Sequence, residues 1–297
     1  FHSMKTVDLH IHSRYSEDGD YPVDELFILA ANAGLAAISV TDHDSIESIA
    51  DCPPSSRRTG VEYVPGVEVT TVFSIDGSQQ HILGYFIDRA ADGLEPTLRK
   101  IRGHRARVAA ARMKALQAIG FSIDADMVWE IAGGRAPTAT AITLAVLEDS
   151  KNFSDPRLKE YFSGTKADNR LFYFYREFLL EGKPAYVPFE SISTSEGVEA
   201  IQNAGGIPVL AHPKFVRKRE WLDIIRGYGI RGIEAVSSYH GPEDIGFYLE
   251  YARKTGLLVT AGSDYHGPTT KPRVAMGGIT GNDYRLLESL RNAAGAG

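Results

Sequence analysis

Cysteine is almost absent from this chain. The single Cys52 in 297 residues excludes an internal disulfide and a cysteine-rich zinc site, and fits a reducing compartment, so a cytoplasmic location is expected. Long apolar runs are also missing. Nothing approaches the ~20 residues that a membrane helix needs, and no leader pattern opens the sequence, so no membrane partner is expected. Phe1-His2-Ser3 ahead of Met4 reads as an expression-tag remnant, and His2 is set aside. A basic excess is lacking too: 32 Lys and Arg face 38 Asp and Glu, a net charge of -6. Grooves for long nucleic acids carry the opposite balance, so a small anion at a local positive site is the expected partner. Apolar residues make up 43% and charged residues 24%, which is ordinary for a globular protein and excludes general disorder. The length suits one barrel-sized domain with an insertion, or two smaller domains.

What the chain does have is histidine, in telling places. In Val7-Asp8-Leu9-His10-Ile11-His12, strand periodicity puts His10 and His12 on one face, where their rings could grip one cation. Such a pair alone is weak evidence. Three later segments each put a metal-type ligand just past an apolar strand: Thr41-Asp42-His43-Asp44, Ala211-His212-Pro213 and Gly262-Ser263-Asp264-Tyr265-His266. Gly66-Val67-Glu68-Val69 adds a carboxylate, and His81-Ile82-Leu83-Gly84 another imidazole.

Taken in order, Thr6 to Leu9 reads as a strand, and Pro22 opens a helix with Val23, Leu26, Phe27, Ala30 and Ala31 at helical spacing. Ala36 to Val40 is a buried strand. A loop rich in Pro and Ser leads to a third strand, Val61 to Val69, and Asp76-Gly77 turns the chain into a fourth, His81 to Ile87. From Leu94 to Gly182 the pattern is helical, with Leu98, Ile101, Val108, Ala115 and Ile119 on one stripe. Arg105 and Arg112 occupy that stripe where Leu would be expected. They either pack by their stems at its edge or, with Arg102, face a pocket for an anion. Alternation returns after Lys183-Pro184: Tyr186-Val187-Pro188 is extended, and Ser193 with Glu196 makes a capping box. Strands Ile207 to Ala211, Ile230 to Val236 and Leu257 to Ala261 follow, separated by helices. The expected division is a first barrel part over 5–93, an inserted helical subdomain over 94–182 and a second barrel part over 183–290. Seven strands separated mostly by helices call for a parallel barrel or a doubly wound sheet. In a barrel the chemistry sits at the strand C-termini, where nearly all these ligands fall. His81 starts its strand, so it fits only if that strand runs against its neighbours or begins late.

The ordered set His10-x-His12, Ser16-x-Asp18-Gly19, Thr41-Asp42-His43, Gly66-Val67-Glu68, His81-Ile82-x-Gly84, Ala211-His212-Pro213 and Ser263-Asp264-x-His266 resembles the signatures of the polymerase and histidinol phosphatase (PHP) superfamily. The resemblance covers residues 5–90 and 185–270. It implies an α/β fold, a distorted (β/α)7 barrel, and a metal-dependent phosphoesterase with three divalent ions. The nearest pattern is the branch of small phosphatases acting on nucleotides and related metabolites, which carries a helical insertion here and a phrase like Gly182-Lys183-Pro184-Ala185-Tyr186-Val187-Pro188. Carried over, one ion would take His10, His12 and Asp264, with Glu68 bridging to a second on His81 and His212, and a third would take Asp18, His43 and His266. Glu68, Asp18 and His43 would stand closest to the chemistry. The turn departs from the family's Ser-Asp-Gly by one residue, which makes Asp18 the expected ligand and Glu17 the alternative. The usual glycine after His-Pro is Lys214 here, expected to face solvent.

Imidazole and carboxylate without thiolate suit manganese, zinc or iron, and the mixture does not select one; manganese is placed first as an expectation. Six neutral imidazoles and three carboxylates against three divalent ions leave a surplus near +3, which attracts a phosphate dianion. A hydroxide held between two ions is the expected nucleophile on phosphorus. Arg102, Arg105, Arg135 or Lys183 would bind the substrate's phosphate oxygens. Asp44, Tyr239 and His240 are candidates for the proton donor to the leaving alcohol, although His240, like His104, reads first as a structural histidine. The expected function is hydrolysis of phosphate monoesters of a small molecule, a nucleotide first. The alternatives are a phosphodiesterase for a cyclic phosphate or an oligonucleotide end, and, last, a metal-binding module without turnover.

Overall fold

The computed structural model describes residues 5–295, so the tag-like Phe1-His2-Ser3 lies outside the described residues. The chain divides into two compact units: one runs to Arg99 and resumes at Ile192, and the other is Lys100–Ser191.

The first unit opens with β1 (Thr6–Ile11), α1 (Val23–Asn32), β2 (Leu35–Val40), α2 (Cys52–Thr59), β3 (Glu62–Tyr63), β4 (Gly66–Val72) and β5 (Gln79–Tyr85). Helix α3 (Leu94–Ala118) leads into the second unit, which holds α4 (Ala125–Ile131), α5 (Ala139–Glu148), α6 (Lys159–Ser163) and α7 (Arg170–Phe174). The first unit then resumes with β6 (Ile192–Ser193), α8 (Thr194–Asn203), β7 (Ile207–Leu210), α9 (Trp221–Gly227), β8 (Gly232–Ser237), α10 (Pro242–Thr255), β9 (Leu258–Gly262) and α11 (Arg285–Gly295).

Its strands form a parallel sheet in the order β1-β2-β3 and a mixed sheet in the order β6-β4-β5-β7-β8-β9. Backbone bonds also join the two sheets near the strand ends: Asp264 N–H donates to His10 O at 2.8 Å, His12 N–H to Tyr265 O at 2.8 Å, and Glu68 N–H to Asp42 O at 3.1 Å. This is an α/β fold in which the odd positions of β1 feed the core. Val7 and Leu9 pack with Leu83, Val209 and Leu287, while Ile11 packs with Leu26, Phe27 and Val40. Each such side chain, fully buried, contributes roughly 1.5–3 kcal/mol. The even positions, Asp8, His10 and His12, are equally inaccessible and point the other way.

The fold departs from the sequence reading at three places. The Pro- and Ser-rich loop is α2, because a proline in the first turn gives up no helical hydrogen bond, and Gly60, at φ +76°, ends the helix. The strand expected over 61–69 is split by Val64-Pro65 into β3 and β4, which belong to different sheets. Helix α11, with Leu287 and Leu290 buried, has no counterpart in the sequence reading. The fourth strand resolves the question of His81: it begins at Gln79 and runs antiparallel to both β4 and β7.

The Lys100–Ser191 unit is helical around an apolar interior. Ala109, Met113 and Leu116 of α3 meet Val128, Ile142, Val146, Phe174 and Phe178 there, and Phe121 stands edge-on to Phe178 at 5.0 Å. Asp124 and Thr138 cap α4 and α5. Arg105 is buried on α3, and burial lowers the pKa of Arg112 below the usual guanidinium range.

Candidate metal centre

Four strand ends and one strand start converge in the first unit. His10 on β1 and His12 just past its end turn their Nε2 atoms together at 3.1 Å. Asp264, past the end of β9, brings Oδ1 to 3.3 Å from His10 Nε2 and 3.1 Å from His12 Nε2. Glu68, inside β4, divides its two oxygens. Oε2 lies 3.3 Å from both His10 Nε2 and His12 Nε2 and 2.9 Å from His43 Nδ1. Oε1 lies 2.8 Å from His81 Nδ1 and 3.1 Å from His212 Nε2. His266 stacks on His12 with ring centroids 3.9 Å apart, and Asp18 approaches its Nε2 at 3.5 Å and His43 Nε2 at 4.0 Å. All nine residues read as ligands in the sequence therefore come together here.

The floor is closed and the mouth half open. His10, His12 and Glu68 have no exposed surface, whereas the side chains of His43, His81 and Asp18 are 11%, 15% and 17% exposed. Backbone strain concentrates at the same place. Asp44, His212 and Asp264 have φ of 51°, 26° and 56°, left-handed values that cost on the order of 1–3 kcal/mol each for residues with a side chain.

The charges explain the pKa directions. Burial alone would raise the carboxyls of Asp18, Glu68 and Asp264, yet all are held well below the usual range. His266, His43 and His12 do this for Asp18, His10, His81 and His43 for Glu68, and Lys271, His10 and His266 for Asp264. Burial pushes His81 down to about 4 despite Glu68, so it is a neutral donor. Burial would also lower His10, but Glu68, Glu234 and Asp264 outweigh it and hold that ring charged.

These residues fit a metal. Asp18 Oδ1, Glu68 Oε2 and Asp264 Oδ1 are buried acceptors with no donor aligned on them, and an orphaned buried carboxylate oxygen is expensive unless a cation faces it. Ligand atoms of His10, His12, Glu68 and Asp264 lie within 4.8 Å of one another, as do those of His43, Glu68 and His81, and those of His12, His43 and His266. The donor set is hard oxygen and imidazole nitrogen, with no sulfur.

Several supporting residues escaped the sequence reading. Buried Asp8 accepts from Ser263 N at 2.8 Å, Ser263 Oγ at 2.6 Å and Gly277 N at 2.7 Å, fixing the loop that carries Asp264; burial raises its pKa to about 6. Asp42 accepts from Ser13 N, Ser13 Oγ and Ser16 Oγ at 2.7, 2.8 and 3.1 Å, and Ser16 Oγ in turn meets His12 Nδ1 at 2.9 Å. Glu234 lies behind His10 on β8, and Lys271 pairs with Asp264 Oδ2. The available signal was a single charge inside an apolar strand, as in Val7-Asp8-Leu9 and Ile233-Glu234-Ala235.

Of the proton-donor candidates, Tyr239 brings its side chain onto a ligand carboxylate, donating its hydroxyl to Asp264 Oδ2 at 2.6 Å. Asp44 accepts from Thr70 N–H at 2.7 Å, and His240 Nδ1 lies 3.0 Å from Ala235 O, both inside the fold. Lys214 is exposed, as its reading as a solvent-facing residue requires, and its ammonium pairs with Asp244 at 2.9 Å and donates to Tyr239 O at 2.9 Å. Arg102, Arg105, Arg135 and Lys183 belong to the other unit, where Arg102 and Arg105 are one turn apart on α3 and Lys183 is exposed.

Comparison with known proteins agrees with the geometry. The family model of the PHP domain matches residues 8–97. A 3′,5′-nucleoside bisphosphate phosphatase of Chromobacterium violaceum is 30% identical over 273 residues, covering 89% of this chain and 88% of its own. A phosphoribosyl 1,2-cyclic phosphate 1,2-diphosphodiesterase of Eggerthella lenta is 27% identical over 262 residues, covering 88% and 94%. A solved Chromobacterium violaceum structure, described as an amidohydrolase with bound sulfate and no metal, matches with a TM-score of 0.80 at 27% identity over 96% of each chain. Fold and site thus define a metal-dependent hydrolase of phosphate esters. The chain belongs to the PHP family. Among the described residues, no helix is long and apolar enough to cross a membrane.

Proposed function

We propose that this enzyme removes a phosphate from a small phosphomonoester, a nucleotide or nucleoside bisphosphate, using three divalent ions with manganese foremost. The observation that carries this reading is the split of Glu68, whose two oxygens face separate groups of imidazoles as a bridging ligand's would. His10, His12 and Asp264 would hold one ion, His81 and His212 a second, and Asp18, His43 and His266 a third, with Glu68 shared between the first two. Bound there, the ions supply Lewis acidity, polarising phosphoryl oxygens and making water acidic enough to react. The protein's own part is orientation and exclusion of bulk water. The buried floor keeps His10, His12 and Glu68 dry, and the slightly exposed Asp18, His43 and His81 border the side from which substrate arrives. Tyr239 is the candidate to pass a proton to the leaving oxygen.

The seven longer strands, β1, β2, β4, β5, β7, β8 and β9, are proposed to form a distorted (β/α)7 barrel interrupted by a helical subdomain. The bonds from β1 to the end of β9 and from β4 to the segment after β2 support this. Arg102, Arg105, Arg135 and Lys183 are proposed to contact substrate phosphate. The 30% identical bisphosphate phosphatase favours a nucleoside bisphosphate, and the Eggerthella lenta relative favours a cyclic diester as the second reading.

The test is release of phosphate or alcohol by manganese-loaded protein from a 3′,5′-bisphosphonucleoside, a cyclic phosphate and a short single-stranded RNA. Fastest turnover of the bisphosphonucleoside is expected. Turnover of the cyclic ester or the RNA alone replaces the first reading with the second. Bound manganese without turnover of any of them leaves a metal-binding module.

A further inference from the structure

Glu234 bonds to the back of a candidate ligand ring and to the backbone of a second candidate ligand. It sits on β8 between Ile233 and Ala235 with no exposed surface, a place where a carboxylate is tolerated only when its oxygens are well bonded. Oε1 is 2.9 Å from His10 Nδ1, and Oε2 accepts the backbone N–H of His212 at 2.8 Å. Gly262 of β9 makes room for it: a Cβ there would meet Glu234 Oε1 at 2.6 Å and His10 Cβ at 2.2 Å.

We infer that Glu234 is a positioning residue for two metal-binding histidines on different strands, and that both of its oxygens must act as acceptors. The inference rests on the metal-centre reading above. At His10, an acceptor behind Nδ1 requires hydrogen on Nδ1, which leaves the Nε2 lone pair aimed at the space shared with His12, Glu68 and Asp264. At His212 the work is on the backbone. That residue turns at φ 26° and ψ 62°, and the turn brings its Nε2 to within 3.1 Å of Glu68 Oε1. One side chain therefore sets a ring tautomer in one proposed ion site and a strained turn in the other.

Glu234→Gln makes this testable, because the amide has the same shape but only one acceptor. If its NH₂ faces His10, the ring must move its hydrogen to Nε2 and lose that ligand atom. If it faces His212, two donors collide and the turn is released. Titration of metal-free protein with Mn²⁺ should show at least one ion bound 10–100-fold more weakly in Glu234→Gln than in wild type. Unchanged affinity for every ion in a folded Glu234→Gln protein would overturn the inference while leaving the metal centre intact. Wild type that binds no Mn²⁺ would overturn the reading beneath both. Should the variant not fold, ¹⁵N-histidine NMR of zinc-loaded wild type gives the answer: Nδ1–H on His10 is expected, and Nε2–H would overturn the assignment.

Discussion

The two units of this protein solve the problem of an interior in opposite ways. The Lys100–Ser191 unit buries Leu116, Val146, Phe174 and their neighbours, side chains that ask only for shape and volume. The other unit has apolar layers too, yet through its middle runs a seam of Asp8, His10, His12, Asp42, Glu68, Glu234 and Asp264, all inaccessible or nearly so. An apolar interior tolerates exchange of one hydrocarbon for another. A seam of acceptors and imidazoles tolerates almost none, since each lost partner leaves a buried polar atom behind. Stability is thus concentrated in one kind of interior and chemical identity in the other.

Mutations should separate the two. Glu68→Gln in the seam is expected to cost at least about 10³-fold in phosphate release, equivalent to about 4 kcal/mol of barrier, and to lower metal content measured by elemental analysis. Leu116→Ala in the helical unit should cost about 3 kcal/mol in urea unfolding and leave the metal stoichiometry unchanged. A similar loss with metal release would break the comparison. Chelation should lower the stability of the wild type by about 2.7 kcal/mol relative to protein with free metal at 100 times its dissociation constant, read as a fall in melting temperature.

A subtler test is protonic. Without metal, His10 is held charged by Glu68, Glu234 and Asp264, so binding at Nε2 must expel a proton near pH 7. Calorimetry in buffers of different ionisation heat should register that release, and affinity should rise with pH. The stability that charged His10 gives the metal-free protein is full below its unfolded value near 6.5 and fades as pH climbs through the raised folded value. The smallest effect belongs to neither interior. Ser193 and Glu196 close a capping box on α8, and Ser193→Ala should cost about 1 kcal/mol in urea unfolding with kinetics unchanged.

The parts legible in the sequence are those with a period or a fixed spacing. Alternation put His10 and His12 on one face, and the apolar runs before His43, His212 and Asp264 marked strand ends. Ser193 and Glu196 announced α8. Features that depend on distant partners were silent. Glu234 shows itself in the sequence only as a lone charge in an apolar strand, with its partners His10 and His212 unmarked, and Lys271 sits in a loop whose return to Asp264 has no local signal. Helix α2 was hidden because Pro53-Pro54 reads as a break, although a first helical turn accommodates proline.

The reversed strand β5 has a consequence for how this chain can vary. Glu68 and His81 are delivered by a single hairpin, with Thr70 opposite His81 and Leu83 opposite Glu68, so their meeting depends on the length of the tip around Asp76-Gly77. Side chains alternate faces along a strand, and adding one residue at that tip would roll the imidazole to the far side while leaving every ligand in place on paper. Loop insertions are usually the cheapest change a protein can accept; at this bend, a single codon would unmake the site.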